Sequence, residues 1–239
     1  MSIVTFGLVP LGVLAGVLTT LSGQGGGLML VLVLAWLVGP HAALALSTPA
    51  LFLGNLHRSY LCRLVLDRRL AMLISIGVVP GAYLGGRFAS AASAFVLQCA
   101  LVMVTALAIA KAMKWLRFEI PRPAFLPAGA GIGFLAGTSG GAGVLLGPLV
   151  HSTGLRGQAF VGTVAVVAVA LHAGRLVAYG GSGLLTLADL PRAAVLASGI
   201  FLGNFLADRL RPSLGEKVTG RLELWTLVGC AFLSVAGVR

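Results

Sequence analysis

Two clusters of serine and glycine carry most of the chemistry that this sequence offers. The first covers residues 21–28, Leu-Ser-Gly-Gln-Gly-Gly-Gly-Leu, and supplies Ser22, Gly23, Gly25, Gly26 and Gly27. The second covers residues 137–145, Gly-Thr-Ser-Gly-Gly-Ala-Gly-Val-Leu, and supplies Ser139, Gly140, Gly141 and Gly143. Both interrupt long apolar runs. Glycine there breaks a helix and releases backbone N–H groups that hydrocarbon cannot satisfy. Where the next half-helix starts, those amides, the positive dipole end and a hydroxyl together suit a small anion. A plainer use for such glycines is close helix packing. Two clusters in corresponding places, each beside a serine, favour binding.

Other polar residues lie within the apolar runs. Ser47 and Thr48 precede Pro49, which removes a backbone donor and opens the helix near them. Thr163 matches Thr48 in the second half. Hydroxyls like these commonly bond back to their own helix, and the opened backbone is the argument for a ligand contact. His57 and His172 form a second matched pair. Ionisable groups at membrane depth are functional candidates, and histidine suits proton coupling or, when protonated, anion binding. Arg175 follows His172 by three positions and shares its helical face; it is the expected anion partner, favoured at lower pH by a charged His172. Arg58 is expected to point away from His57 and anchor at the interface. Asn55 and Asn204 read as links between helices. Trp36, Trp115 and Trp225 suit interfacial positions.

The elements that hold these residues are apolar segments at 3–20, 28–38, 41–62, 70–88, 95–113, 124–136, 144–151, 158–178, 190–210 and 222–238. Most approach the roughly 20 residues of a spanning helix. The second and seventh are too short and read as half-helices, re-entrant pieces or slanted segments. The first segment reads as a retained helix, not a signal peptide. Of the 239 residues, 58% are hydrophobic and 10% charged, with 34 glycines. A soluble domain carries about a quarter charged residues, so the expectation is an all-α polytopic membrane protein whose partner is the lipid bilayer. The net charge of +11 then reflects lysine and arginine in cytoplasmic loops, not a nucleic-acid surface. Cys62, Cys99 and Cys230 form neither a disulfide framework nor a metal motif, and no cofactor is implied.

The sequence repeats itself. Gly12, Gly16, Ser22, Gly23 and Gly26 align without gaps with Gly129, Gly133, Ser139, Gly140 and Gly143. After a two-residue deletion, Gly39, Thr48 and His57 fall on Gly154, Thr163 and His172; later Gly77, Gly81 and Arg87 fall on Gly199, Gly203 and Arg209. Two membrane repeats are expected, 1–114 and 128–239, joined by a proline-rich cytoplasmic linker at 115–127. Five segments per repeat is odd, so the second copy should be inverted. Charge agrees. Arg63, Arg68 and Arg69 follow the third segment, whereas only Arg192 lies in the matching loop. Arg87 alone follows the fourth segment, whereas Arg209, Arg211, Lys217 and Arg221 lie in its match. The basic side swaps, as inversion requires, and both termini are expected outside. Paired breaks in two halves point to a transporter's binding site.

A first half with Gly23-x-Gly25-Gly26-Gly27, a second with Gly137-Thr138-Ser139-Gly140-Gly141-x-Gly143 and Pro148, and the pair Gly162–Thr163 together resemble the TauE/SafE permeases, the sulfite-exporter-like proteins. The resemblance covers nearly the whole chain. It implies a membrane permease, in a bacterial inner membrane, for sulfite, sulfonates or related organosulfur anions. The chain departs from the family pattern at Leu46-Ser47-Thr48-Pro49, where a Gly-Thr-Ser-like run is frequent. The expected function is a secondary transporter of a small anion by alternating access. No Walker motif supplies ATP chemistry, which leaves proton or ion coupling. Two alternatives stand beside it. Gly137-x-Ser139-Gly140 with His172 as base has the form of an intramembrane serine protease, although a protease has no use for a second copy. A passive anion channel is the other. The oligomeric state is not legible.

Overall fold

The structure is a computed structural model that describes residues 3–22, 25–113, 115, 121–210 and 216–236. Among these residues it is all-helical, without strands. The first half forms α1 (Ile3–Ser22), α2 (Gly26–Val38), α3 (Pro40–Leu61), α4 (Arg68–Ala91) and α5 (Ala94–Ala112). The second forms α6 (Phe125–Ser139), α7 (Leu146–His151), α8 (Gly157–Gly181), α9 (Leu190–Leu210) and α10 (Glu216–Ala236). The ten apolar segments thus correspond to ten helices, with ends set by local chemistry. Asp67 accepts the N–H of Leu70 at 2.9 Å and starts α4. Gly39, at φ 85°, turns the chain so that Pro40 can open α3. Gly26 and Gly27 belong to α2, so the first break is narrower than the glycine run.

The surface identifies the solvent. Ile76, Val177, Trp225 and Phe232 are 63%, 66%, 69% and 76% exposed, while Leu30, Leu34, Ile74 and Leu149 are fully buried inside. Apolar groups therefore cover both sides of the helices. Water does not tolerate so extensive an apolar surface, whereas acyl chains do. Four helical stretches, Arg68–Ala91, Ala94–Ala112, Gly157–Gly181 and Leu187–Leu210, have the length and hydropathy to cross a membrane. Trp36, Trp115 and Trp225 are all exposed, as expected of interfacial rings. The two ends of the chain and residues 116–120 of the central linker lie outside the described residues.

The repeated glycines sit where helices cross. α1 packs on α9 and α6 packs on α4; α3 lies against α8 and α9, and α8 against α3 and α4. At the α1–α9 crossing, a Cβ added to Gly12 would stand 3.1 Å from Gly199 Cα, and one on Gly16 would stand 3.1 Å from Gly203 Cα. At the α6–α4 crossing, added Cβ atoms on Gly129 and Gly133 would meet the backbone at Ile74 and Val78. Lipid supplies no hydrophobic force between helices, so close backbone contact through small residues is what binds them. We expect Gly133→Leu to lower the unfolding midpoint in detergent, by overpacking worth about 1–3 kcal/mol. Gly131→Leu, two residues away with nothing within 4 Å, should leave the midpoint unchanged or raise it.

Candidate functional site

Both glycine breaks line one small cavity. Gly25 and Gly27 come from the first, and Gly140, Gly141 and Gly143 from the second. Thr19, Asn55, Arg58 and His172 supply its polar side chains, and Leu28, Leu51, Val144, Val164 and Ala168 complete it. Its volume is about 50 Å³, room for a few waters or one compact anion. None of its lining residues is acidic.

The local backbone explains why glycines build it. Gly25 has φ 95° and Gly140 φ 77°, a region that side chains with a Cβ rarely adopt. Gly25 precedes α2 without any side-chain cap, so the first amides of α2 have no partner within their own helix. They lie where the helix dipole is positive. Gly26 plays a different part: a Cβ there would run into Thr19 Oγ1 and the carbonyl of Ala15, so it is needed for α2 to start against α1. Gly23 lies outside the described residues. Ser22 closes α1, and its side chain is outside them too.

Each break holds a buried arginine on the carbonyls of the helix that ends there. Arg58, on α3 and 3% exposed, donates from Nη1 to the carbonyl of Thr19 in the last turn of α1 at 2.8 Å, and from Nη2 to Asn55 Oδ1 at 2.7 Å. Arg175, on α8 and fully buried, donates from Nη1 to the carbonyl of Gly140, at the end of α6, at 3.5 Å. It also donates from Nε to Tyr179 Oη at 3.4 Å, and the Tyr179 hydroxyl donates to Gly137 O at 2.5 Å. A cation at a helix C-terminus contributes up to about 2 kcal/mol when partly buried. That is less than the several kcal/mol that burying a charge costs. The partners of Arg175 among the described residues are all neutral, and its Nη2 has none.

The two arginines differ in one respect that matters for the site: Arg58 lines the cavity, while Arg175 stands behind its wall. The expectation that Arg58 is an interfacial anchor is therefore corrected. It faces inward on the buried stripe of α3. His57, its neighbour, faces outward, with its ring 5.2 Å from Phe201 in a separate groove. His172 lies in the cavity wall, and its Nδ1 is 3.2 Å from Arg175 Nη1. A guanidinium has no acceptor, so Nδ1 must accept and the ring proton must sit on Nε2. The geometry thus assigns a neutral His172, held in place by Arg175.

The remaining candidates lie off the cavity. Thr48 donates to Leu44 O at 2.7 Å. Thr163 donates to Ala159 O at 2.7 Å and accepts the N–H of Asp67 at 3.0 Å, fixing the loop before α4. Ser47 is buried, with no partner for its Oγ among the described residues. Ser139 donates to Leu135 O at 2.7 Å and accepts the N–H of Gly141 at 3.3 Å, bracing the second break. Asn204 links three helices: it accepts from the Thr20 hydroxyl at 2.9 Å and donates to Gly54 O at 3.0 Å.

A pair of glycine breaks around a basic cavity in a membrane bundle narrows the field, and the comparison with known families decides it. Residues 8–235 match the sulfite exporter TauE/SafE family, nearly the whole chain. The chain belongs to that family. Neither a curated protein nor a solved structure matches it. This TauE/SafE protein is therefore an integral membrane protein of a transporter family. Arg58 and Asn55, which line the cavity, were within reach of the sequence: with Thr48, Leu51 and Gly54 they form one buried helical stripe of α3.

Proposed function

We propose that this TauE/SafE protein is a secondary transporter for a small sulfur oxyanion of the sulfite class, bound between the two breaks and released by alternating access. The observation that carries the reading is the cavity itself: Gly25 and Gly27 at the start of α2, Arg58 and His172 line one space, and no acidic residue is among its described lining. An oxyanion held beside the Arg58 guanidinium would accept several N–H groups at once. The volume of about 50 Å³ favours a compact anion over an extended sulfonate in this conformation.

The second half is the first inverted in the membrane. Support comes from the swap of basic loops between the halves and from the packing, in which α1 on α9 mirrors α6 on α4. A rocking of one repeat against the other would then open the cavity to either side. The serine-protease reading has less behind it: the Ser139 hydroxyl is engaged with Leu135 and Gly141, and His172 Nδ1 is taken up by Arg175.

A ligand that binds only the folded state stabilises it by RT ln(1 + [L]/Kd), about 2.7 kcal/mol at a hundred times Kd. Sulfite should therefore raise the melting midpoint of the purified protein more than sulfate, thiosulfate, taurine or sulfoacetate, and more than chloride at equal ionic strength. If no oxyanion moves the midpoint beyond the chloride control, the reading fails.

A further inference from the structure

A second concavity differs sharply from the break cavity in its chemistry. It is an open groove of about 850 Å³ on the outer surface, between α3, α4, α8 and α9. Its walls are almost wholly carbon: Leu53 and Leu56 from α3, Met72 from α4, Val166 from α8 and Phe201 from α9. Leu56 and Met72 are 46% and 59% exposed, so the trough opens to the surroundings of the helices. For this protein those surroundings are hydrocarbon. A trough of this kind is filled by an apolar chain, because walls left without neighbours lose their dispersion contacts.

His57 and Ser59 also line the groove, and its cationic groups stand at one end. Arg63 and Arg68 stand there, on the loop between α3 and α4 and at the start of α4. The Arg63 guanidinium lies 4.1 Å from the centre of the Tyr60 ring and donates to Tyr60 O at 3.2 Å, which holds its charge over the mouth. No acidic residue lines the groove. The nearby Asp67 carboxylate is occupied in capping α4 through Leu70 N. From Leu53 to the end of α3 at Leu61 the chain advances eight residues, about 12 Å at helical rise, and the loop that carries Arg63 follows. That is somewhat less than half of the roughly 30 Å hydrocarbon core, close to the depth of one leaflet.

We propose that this groove binds one anionic phospholipid, with an acyl chain along Leu53, Met72, Val166 and Phe201 and the phosphate on Arg63 and Arg68. Two cationic forks and no carboxylate favour a headgroup with net negative charge over a zwitterionic one. The lipid would brace α3, the helix that carries Arg58, from the side opposite the cavity.

Native mass spectrometry of the purified protein in mild detergent, supplied with phosphatidylglycerol or phosphatidylcholine of identical acyl chains, tests this. One retained lipid is expected, with phosphatidylglycerol favoured about thirtyfold, as two nearby arginines imply. The Arg63→Gln, Arg68→Gln double variant should retain the two lipids equally. Leu53→Trp, which fills the trough at a partly exposed position, should retain neither. Equal retention of both lipids by the wild type, no retention at all, or a preference that survives the double variant would each overturn the proposal.

Discussion

Replacing Arg58 by glutamine should abolish sulfite binding at concentrations that saturate the wild type. Arg58 is the cationic side chain in the cavity wall, and it reaches the site already oriented by Thr19 O and Asn55. Truncating one partner of a buried, hydrogen-bonded charge pair costs 2–5 kcal/mol or more, so affinity should fall by roughly 30-fold at the least. Arg58→Lys keeps the charge and loses the planar fork, and should fall between the two. Equilibrium binding of radiolabelled sulfite to the three purified proteins reads this directly. Arg175→Lys should behave differently. Arg175 touches the Gly140 carbonyl and His172 and not the cavity, so its loss should loosen the second break and lower the melting midpoint before it lowers affinity.

The second large effect is expected at Gly140. Its φ of 77° costs any residue with a Cβ about 1–2 kcal/mol. Space is short as well: an added Cβ would stand 2.6 Å from Leu44 Cδ2, 3.2 Å from Val31 Cγ1 and 3.2 Å from Arg175 Nη2. Gly140→Val should therefore add overpacking of about 1–3 kcal/mol and push Arg175 off the end of α6. Loss of binding together with a lower melting midpoint is the expected result. Gly143→Ala is the contrast. Nothing lies within 4 Å of its added Cβ, so it should fold with an unchanged midpoint. A Gly140→Val protein as stable and as tight-binding as the wild type would show that the second break has no structural demand for glycine.

The ten helices and the two breaks were legible because each rests on a local signal: hydropathy for the first, runs of glycine for the second. The site was only partly legible, and the reason is phase. Thr48, Leu51, Asn55 and Arg58 follow the helical period and form the buried stripe of α3, which leaves His57 outside. Matching His57 to His172 across the repeat hid this, because the two buried arginines, Arg58 and Arg175, are not in register. Arg58 and Arg175 both hold a carbonyl near the end of matching helices, Thr19 in the last turn of α1 and Gly140 just after α6, yet the repeat alignment sets Tyr60 against Arg175. Two arginines can reach the same kind of target from positions two residues apart because their side chains are long, and an alignment of residue types does not see that. The glycines posed the opposite difficulty. Gly12, Gly16, Gly129 and Gly133 repeat as faithfully as the breaks, but they serve helix crossings; among the described residues, the positive φ of Gly25 and Gly140 beside the cavity distinguishes a break from a contact.

An oxyanion carried through the cavity between the breaks should exchange across a bilayer, which radiolabelled sulfite in proteoliposomes reads. Uptake should saturate with external sulfite, accelerate when the vesicles are preloaded with unlabelled sulfite, and disappear in Arg58→Gln. Uptake that rises linearly without saturation, ignores preloading, or persists at the wild-type rate in Arg58→Gln would show that the cavity does not carry the anion.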